Sequence, residues 1–213
     1  MPLLQEKDRE YLKGEFAKMT EPVRLVFFTK DDGCTTCTDT LQLLEETAEL
    51  GEKIELAVYE MGNDGGKAEE YGVERTPTVI VEGDRDLGIR FIGIPSGYEY
   101  SSLIEDIIDV GTGKTSLSAA TKEELAGLDR PVHIQVFVTP SCPYCPRAVR
   151  TAHMMAIESE KVTADMVMAN EFPVLANRHS VMAVPKVVIN DGVSFEGAIP
   201  EEDFLSFVKQ AVA

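Results

Sequence analysis

Basic charge is scarce. Lysine and arginine together number 20 against 37 aspartates and glutamates, leaving a formal net charge of −17. Such a surface repels phosphate backbones and anionic headgroups, so neither nucleic acid nor a membrane surface is an expected partner. The excess acid reads as a solubilising surface. Long apolar runs are also missing; none approaches the roughly 20 residues that span a bilayer. The opening segment, MPLLQEKDREYLKGEF, mixes acids and bases from residue 5 onward. That is neither the uninterrupted apolar core of a secretory signal nor an acid-poor transit peptide. The expected location is the cytoplasm.

Tryptophan is absent, and the three histidines, His133, His153 and His179, lack metal-ligand spacing. They are read as surface or packing residues. Cysteine is limited to four positions, all in Cys34-Thr-Thr-Cys37 and Cys142-Pro-Tyr-Cys145. A stabilising disulfide framework scatters its cysteines to close long loops. Each pair here encloses two residues, which points to chemistry instead of stapling.

What is present is a repeat. With 44% hydrophobic and 27% charged residues the chain has material for two modest cores. In the first half, VRLVFFT (23–29) precedes Cys34-x-x-Cys37. The helical stretch 40–50, the strand-like run 53–59, the polar segment 65–73 and Thr76-Pro77-Thr78-Val79-Ile80-Val81 follow. A short strand (87–93) and an amphipathic helix (98–110) close it. In the second half, VHIQVFVT (132–139) precedes Cys142-x-x-Cys145. The corresponding stretches are 146–158, 162–168, 171–181, Val184-Pro185-Lys186-Val187-Val188-Ile189, 193–197 and 201–212. Pro77 follows Cys34 by 43 positions, and Pro185 follows Cys142 by the same 43. Order and distance together indicate a tandem duplication.

Each half reads β-α-β-α-β-β-α from the β-branched and aromatic runs and from three- and four-residue apolar steps such as Leu103, Ile104, Ile107, Ile108. Helical segments at 5–19 and 121–128 precede the halves, the latter with Thr121 and Glu124 as a capping box. The expected domains are 1–115 and 116–213, joined near Gly111-Thr-Gly-Lys-Thr-Ser-Leu-Ser118. GTGKTS is similar to the end of a phosphate-binding loop. However, Ile108 stands where the pattern requires glycine, and a helix precedes it where a strand is needed. It is read as a linker.

In both halves the first cysteine follows a strand and is expected to open a helix. The attacking species is the thiolate, and the free N–H groups and partial positive charge of a helix N-terminus stabilise it. Such sites lower a thiol pKa from about 8.5 to roughly 3.5–7.5. The second cysteine, one turn on, resolves the mixed disulfide. Pro143 suits a first helical turn, and Arg147 and Arg150 are expected to add positive potential. Asp31, Asp32 and Asp39 surround the first centre instead. Cys142 is therefore expected to be the more acidic thiol and the 142/145 pair the more oxidising. Thr76-Pro77 and Val184-Pro185, placed equally from the cysteines, are candidates for cis bonds.

These residues resemble the thioredoxin superfamily. Cys142-Pro-Tyr-Cys145 is similar to the motif of dithiol glutaredoxins. The tandem arrangement resembles the protein disulfide oxidoreductases of thermophilic archaea and bacteria over about residues 5–212. The fold this implies is α/β: two tandem thioredoxin-fold units, each a central mixed β-sheet flanked by helices. The resemblance implies Cys34 and Cys142 as nucleophiles, and Cys37 and Cys145 as resolving thiols. It implies that Pro77 and Pro185 are cis and face them, with Thr76 and Val184 binding an extended substrate segment by strand addition. It further implies formation, reduction and isomerisation of protein disulfides in the cytoplasm of a thermophile, with a thioredoxin reductase as electron donor. The second half also resembles the N-terminal redox domain of flavin-linked alkyl hydroperoxide reductase, which implies a link to a peroxiredoxin.

There are departures. Thioredoxin's buried aspartate, six residues before its first cysteine, is matched here by Phe28 and Val136, and Gly33 and Ser141 replace its tryptophan. Lys30 matches the basic residue of a glutathione site, but the second half has no clear glycine pair, so glutathione is not the expected reductant. No cofactor or metal is expected. A Cys₄ zinc site normally spaces its pairs by about 15–20 residues, whereas 104 lie between Cys37 and Cys142. An iron–sulfur scaffold would need glutathione. A non-catalytic module with structural disulfides would resist mild dithiols and show no turnover.

Overall fold

The β-branched and aromatic runs form strands and the three- and four-step apolar patterns form helices. In this computed structural model residues 3–213 are described; Met1 and Pro2 of the expected first domain lie outside them. The first half contains α1 (Glu6–Phe16), β1 (Val23–Thr29), α2 (Cys37–Ala48), β2 (Ile54–Glu60), α3 (Lys67–Glu70), β3 (Thr78–Glu82), β4 (Asp86–Ile92) and α4 (Glu99–Thr112). The second repeats the order with α5 (Ala119–Ala126), β5 (Val132–Val138), α6 (Cys145–Glu158), β6 (Val162–Met168), α7 (Pro173–Arg178), β7 (Lys186–Ile189), β8 (Val193–Glu196) and α8 (Glu201–Gln210).

The two sheets are not separate. They fuse into one eight-stranded sheet, ordered β2-β1-β3-β4-β6-β5-β7-β8. Within each half the first strand pairs parallel to the second and antiparallel to the third. The seam is the parallel pairing of β4 with β6, from Ile89↔Ala164 to Ile92↔Val167. Each of these strands would otherwise be an open edge, and pairing removes both edges at once. Two glycines let the backbones close. A Cβ on Gly88 (φ +77°) would meet the Val162 carbonyl at 3.0 Å, and one on Gly93 (φ +102°) would meet Met168 Cβ at 2.4 Å. Both also need left-handed φ, which glycine adopts without strain.

Side chains alternate between faces along each strand. Leu25, Phe27, Val79, Phe91, Ile134, Val136, Met166 and Val187 point to one continuous core, covered by α1, α2, α4, α5, α6 and α8. Their neighbours point the other way into two small clusters, Val26, Phe28 and Ile80 with Val73, and Phe137, Val167 and Val188 with Leu175. Met155, Met166 and Met168 are fully buried fillers, and Met154 packs at the core's edge.

Three local expectations need correction. The cap of α5 is Ser118, whose hydroxyl accepts from Thr121 N–H at 3.2 Å; Thr121 is thus the third helical residue and not the cap. The linker is shorter than its composition suggested, because Gly111 and Thr112 complete α4 and Gly113 ends it with φ +64°. Strand register also shifts one correspondence. Phe28 pairs with Thr78 and Phe137 with Lys186, each the residue after the proline. The counterpart of Phe28 is therefore Phe137, not Val136, because the loop before Cys34 is one residue longer than the loop before Cys142.

Candidate functional site

Each cysteine pair is joined as a disulfide, with Cα atoms 5.5 Å apart in both cases. The helices begin three residues later than expected. Cys37 opens α2 and Cys145 opens α6, so Cys34 and Cys142 occupy the turns immediately before the helices. Pro143 lies in that turn, and it is Pro146 that occupies the first helical turn, where a missing N–H is tolerated. Cys142 N–H bonds the Thr139 carbonyl at 3.2 Å, and Thr40 N–H bonds the Thr36 carbonyl at 2.8 Å. Exposure separates the two sulfurs of each pair. Cys34 is half-buried above a buried Cys37, and Cys142 is 8% exposed above a Cys145 that is 0% exposed. The first cysteine of each pair is the more exposed of the two.

Both X-Pro bonds, Thr76-Pro77 and Val184-Pro185, are cis. The Pro77 carbonyl accepts from Gly93 N–H at 2.9 Å, and the Pro185 carbonyl from Gly197 N–H at 2.8 Å, so the two loops are anchored alike. Cys142 Sγ lies 3.8 Å from the Val184 carbonyl oxygen, which places sulfur and loop side by side.

Each centre is also touched by the opposite half, which the sequence did not reveal. Thr36 Oγ1 donates to Glu171 Oε2, while Glu171 Oε1 accepts from Ile94 N–H at 2.9 Å. Reciprocally, Tyr98 N–H donates to the Pro140 carbonyl at 3.2 Å, two residues before Cys142. The next residue, Glu99, is 0% exposed. Its Oε2 accepts from Ser102 Oγ at 2.7 Å, and its Oε1 has no partner. Burial pushes this carboxyl up to about 7, against the lowering effect of Ser102. A signal existed: Glu99, Ser102 and Asp106 fall on the same stripe of α4 as Leu103, Ile107 and Val110, and polar residues on an apolar stripe are unusual.

Arg150 does not serve the redox centre. It is 8% exposed and turned toward α4, with Nε 3.0 Å from Glu105 Oε2 and its other nitrogens against Asp106 and Asp109. Arg147 remains exposed on α6. His153, fully buried, places Nδ1 2.6 Å from Asp106 Oδ2. Burial, then the charge of Arg150, holds His153 down to about 3, so it is neutral. His133 pairs with Asp165 at 2.6 Å, and this hydrogen bond raises its pKa. His179 packs against Phe137. Among the described residues no group of three or more His, Cys, Asp or Glu side chains is placed to hold a metal. No helix among them is long and apolar enough to cross a membrane.

A family model described as Thioredoxin domain matches twice, over residues 26–105 and 132–209. A protein disulfide oxidoreductase from Aeropyrum pernix K1 has 39% identity and a TM-score of 0.92, over 98% of this chain and 93% of that one. A structure of the alkylhydroperoxide reductase AhpF from Enterococcus faecalis has 30% identity and a TM-score of 0.89, over 96% and 99%. The corresponding alkyl hydroperoxide reductase protein from Pseudomonas aeruginosa is 25% identical over 99% of this chain, which spans only 38% of that protein's length. With both halves matched, both disulfides in place and both prolines cis, the chain belongs to the thioredoxin-domain family, as a tandem of two such domains.

Proposed function

We propose that the chain is a protein thiol–disulfide oxidoreductase with two working centres. In the reduced enzyme, the Cys142 or Cys34 thiolate attacks a substrate disulfide. One S–S bond forms as the substrate bond breaks, and one substrate sulfur leaves as thiolate. The Cys145 or Cys37 thiolate then displaces the second substrate sulfur, leaving an enzyme disulfide and a dithiol substrate. Run backward, the same steps oxidise a substrate dithiol. Thr76, Pro77, Val184 and Pro185 are assigned to hold the extended substrate segment beside the sulfur. The supporting observation is the 3.8 Å contact of Cys142 Sγ with the Val184 carbonyl at an anchored proline loop. Glu99 is the candidate to take the proton of the buried 142/145 thiol, the role for which Phe28 and Phe137 are unsuited.

Insulin reduction tests the reading, with Cys34→Ser and Cys142→Ser each removing one centre. Loss in neither variant would refute it. Reduction potentials assign the direction: near about −270 mV indicates a reductant and near about −180 mV an isomerase. The proposal includes a thioredoxin reductase as electron donor, a cytoplasmic setting and a domain join at 115/116, tested by donor reconstitution, cell fractionation and limited proteolysis. Similarity to the alkyl hydroperoxide reductase proteins favours one second reading, electron delivery from a flavin reductase to a peroxiredoxin. Peroxide turnover in a reconstituted chain of the three proteins decides it.

A further inference from the structure

The two centres present different chemistry to a partner, although their backbones match. Around Cys142 the large exposed side chains include three hydrophobic ones. Tyr144, inside the motif, is 70% exposed, and Met182, two residues before Val184, is 89% exposed. Tyr98, whose N–H holds the Pro140 carbonyl, is 53% exposed. They come from three segments and two domains: Tyr144 is in the motif, Met182 lies two residues before the cis-proline bond, and Tyr98 is tied by its N–H to the loop before Cys142. Isolated exposed hydrophobes are ordinary; three on the segments that flank one cysteine pair offer apolar surface to whatever approaches it. The adjoining charges are Arg147 on α6 and Lys186, whose Nζ is held by the Ser180 carbonyl at 3.1 Å.

The equivalent positions at the first centre are polar. Thr36 replaces Tyr144 and gives its hydroxyl to Glu171. Glu74 replaces Met182, and Arg75, 3.2 Å from Glu74, replaces Ala183. Asp31, Asp32 and Asp39 are exposed around the motif, with Lys30 the neighbouring cation. Carboxylates outnumber cations, so the local field favours a positively charged partner.

We propose that the centres divide substrates by the residues flanking the reacting sulfur: 142/145 takes extended segments with apolar flanks, and 34/37 takes segments with basic flanks. This rests on the thiol–disulfide exchange reading above and names its substrate classes. Tyr98, Tyr144 and Met182 cover the segment added at Val184, and burying one large apolar side chain instead of a charged one there is worth about tenfold in kcat/KM. At 34/37 the discrimination is electrostatic, about fivefold, and screened by salt.

The test uses two full-length proteins, one with Cys34 and Cys37 both changed to Ser, the other with Cys142 and Cys145 changed. Hydroxyethyl disulfide, small and neutral, reports exchange competence. Disulfide-linked fluorescent peptides flanked by Leu, Lys or Glu report selectivity. The 142/145-only protein is expected to prefer Leu over Glu flanks, with Met182→Glu bringing the ratio toward one. Met182 is exposed, so this change does not threaten folding. The 34/37-only protein is expected to prefer Lys over Glu flanks, and to lose the preference in about 1 M NaCl, where the Debye length is about 3 Å. Equal flank ratios in both proteins, with hydroxyethyl disulfide turned over, would overturn the division alone. No turnover of hydroxyethyl disulfide by either would overturn the exchange reading itself.

Discussion

Replacing Glu99 with glutamine is expected to stabilise the oxidised protein at alkaline pH and to leave it nearly unchanged in acid. Glu99 is fully buried, with one oxygen bonded to Ser102 at 2.7 Å and the other unpartnered. Its folded pKa is about 7, raised by burial from the ordinary 4.5. A raised carboxyl pKa means that the folded state binds the proton more tightly than the unfolded state. Below about pH 4.5 both states are protonated and no penalty exists; above about pH 7 the folded state carries a buried anion. Each tenfold change in proton affinity is worth about 1.36 kcal/mol, so the penalty reaches about 3 kcal/mol, accruing as pH rises through this window. Glutamine has the same shape and can still accept from Ser102, but it cannot ionise. Asp109 and His153 also titrate away from their ordinary values, but both variants share them, and they cancel in the difference. The measurement is guanidinium unfolding of parent and variant at about pH 4.5 and about pH 8.5, with both disulfides intact. The variant should gain up to about 3 kcal/mol relative to the parent at the higher pH. An advantage of the same size at both pH values, or one confined to acid, would refute the buried-anion argument.

Arg150→Met should destabilise by about 3–5 kcal/mol, because it leaves Asp106 buried without its cation; a parent-like melting temperature would contradict this. Ser118→Ala removes the cap on Thr121 N–H and should cost about 1 kcal/mol, read as a fall in Tm of about 2–4 °C. In the reduced protein Cys142 should titrate below Cys34, as followed by the pH dependence of iodoacetamide alkylation. The acidic surroundings of Cys34 now carry that expectation, since Arg150 faces α4. The reverse order would dismiss it.

The cysteine motifs, the paired prolines and the strand-helix order were legible because each is a short-range signal. Apolar alternation over seven residues specifies a strand wherever the strand ends up, and β6 matches its expected span, 162–168, at both ends. Helix starts were less legible. The first turn of α2 and α6 depends on backbone hydrogen bonds that the residue types at Cys34 and Cys142 do not dictate. One extra residue before Cys34 moved the match of Phe28 from Val136 to Phe137, because a one-residue slip exchanges the two faces of a strand.

By itself the amino-acid order determined two thioredoxin-type units, their dithiols and their prolines, since these follow from local backbone preference and from spacing repeated within the chain. Only the tertiary structure decided that the sheets fuse through β4 and β6, that Arg150 serves an ion pair with α4, and that Glu99 and Glu171 stand where they do. The reason is physical. Edge pairing and the burial of a charge depend on which distant surface arrives to complete them; local patterning marks the place, by two glycines at the ends of β4 and by polar residues on the apolar stripe of α4, but does not name the partner.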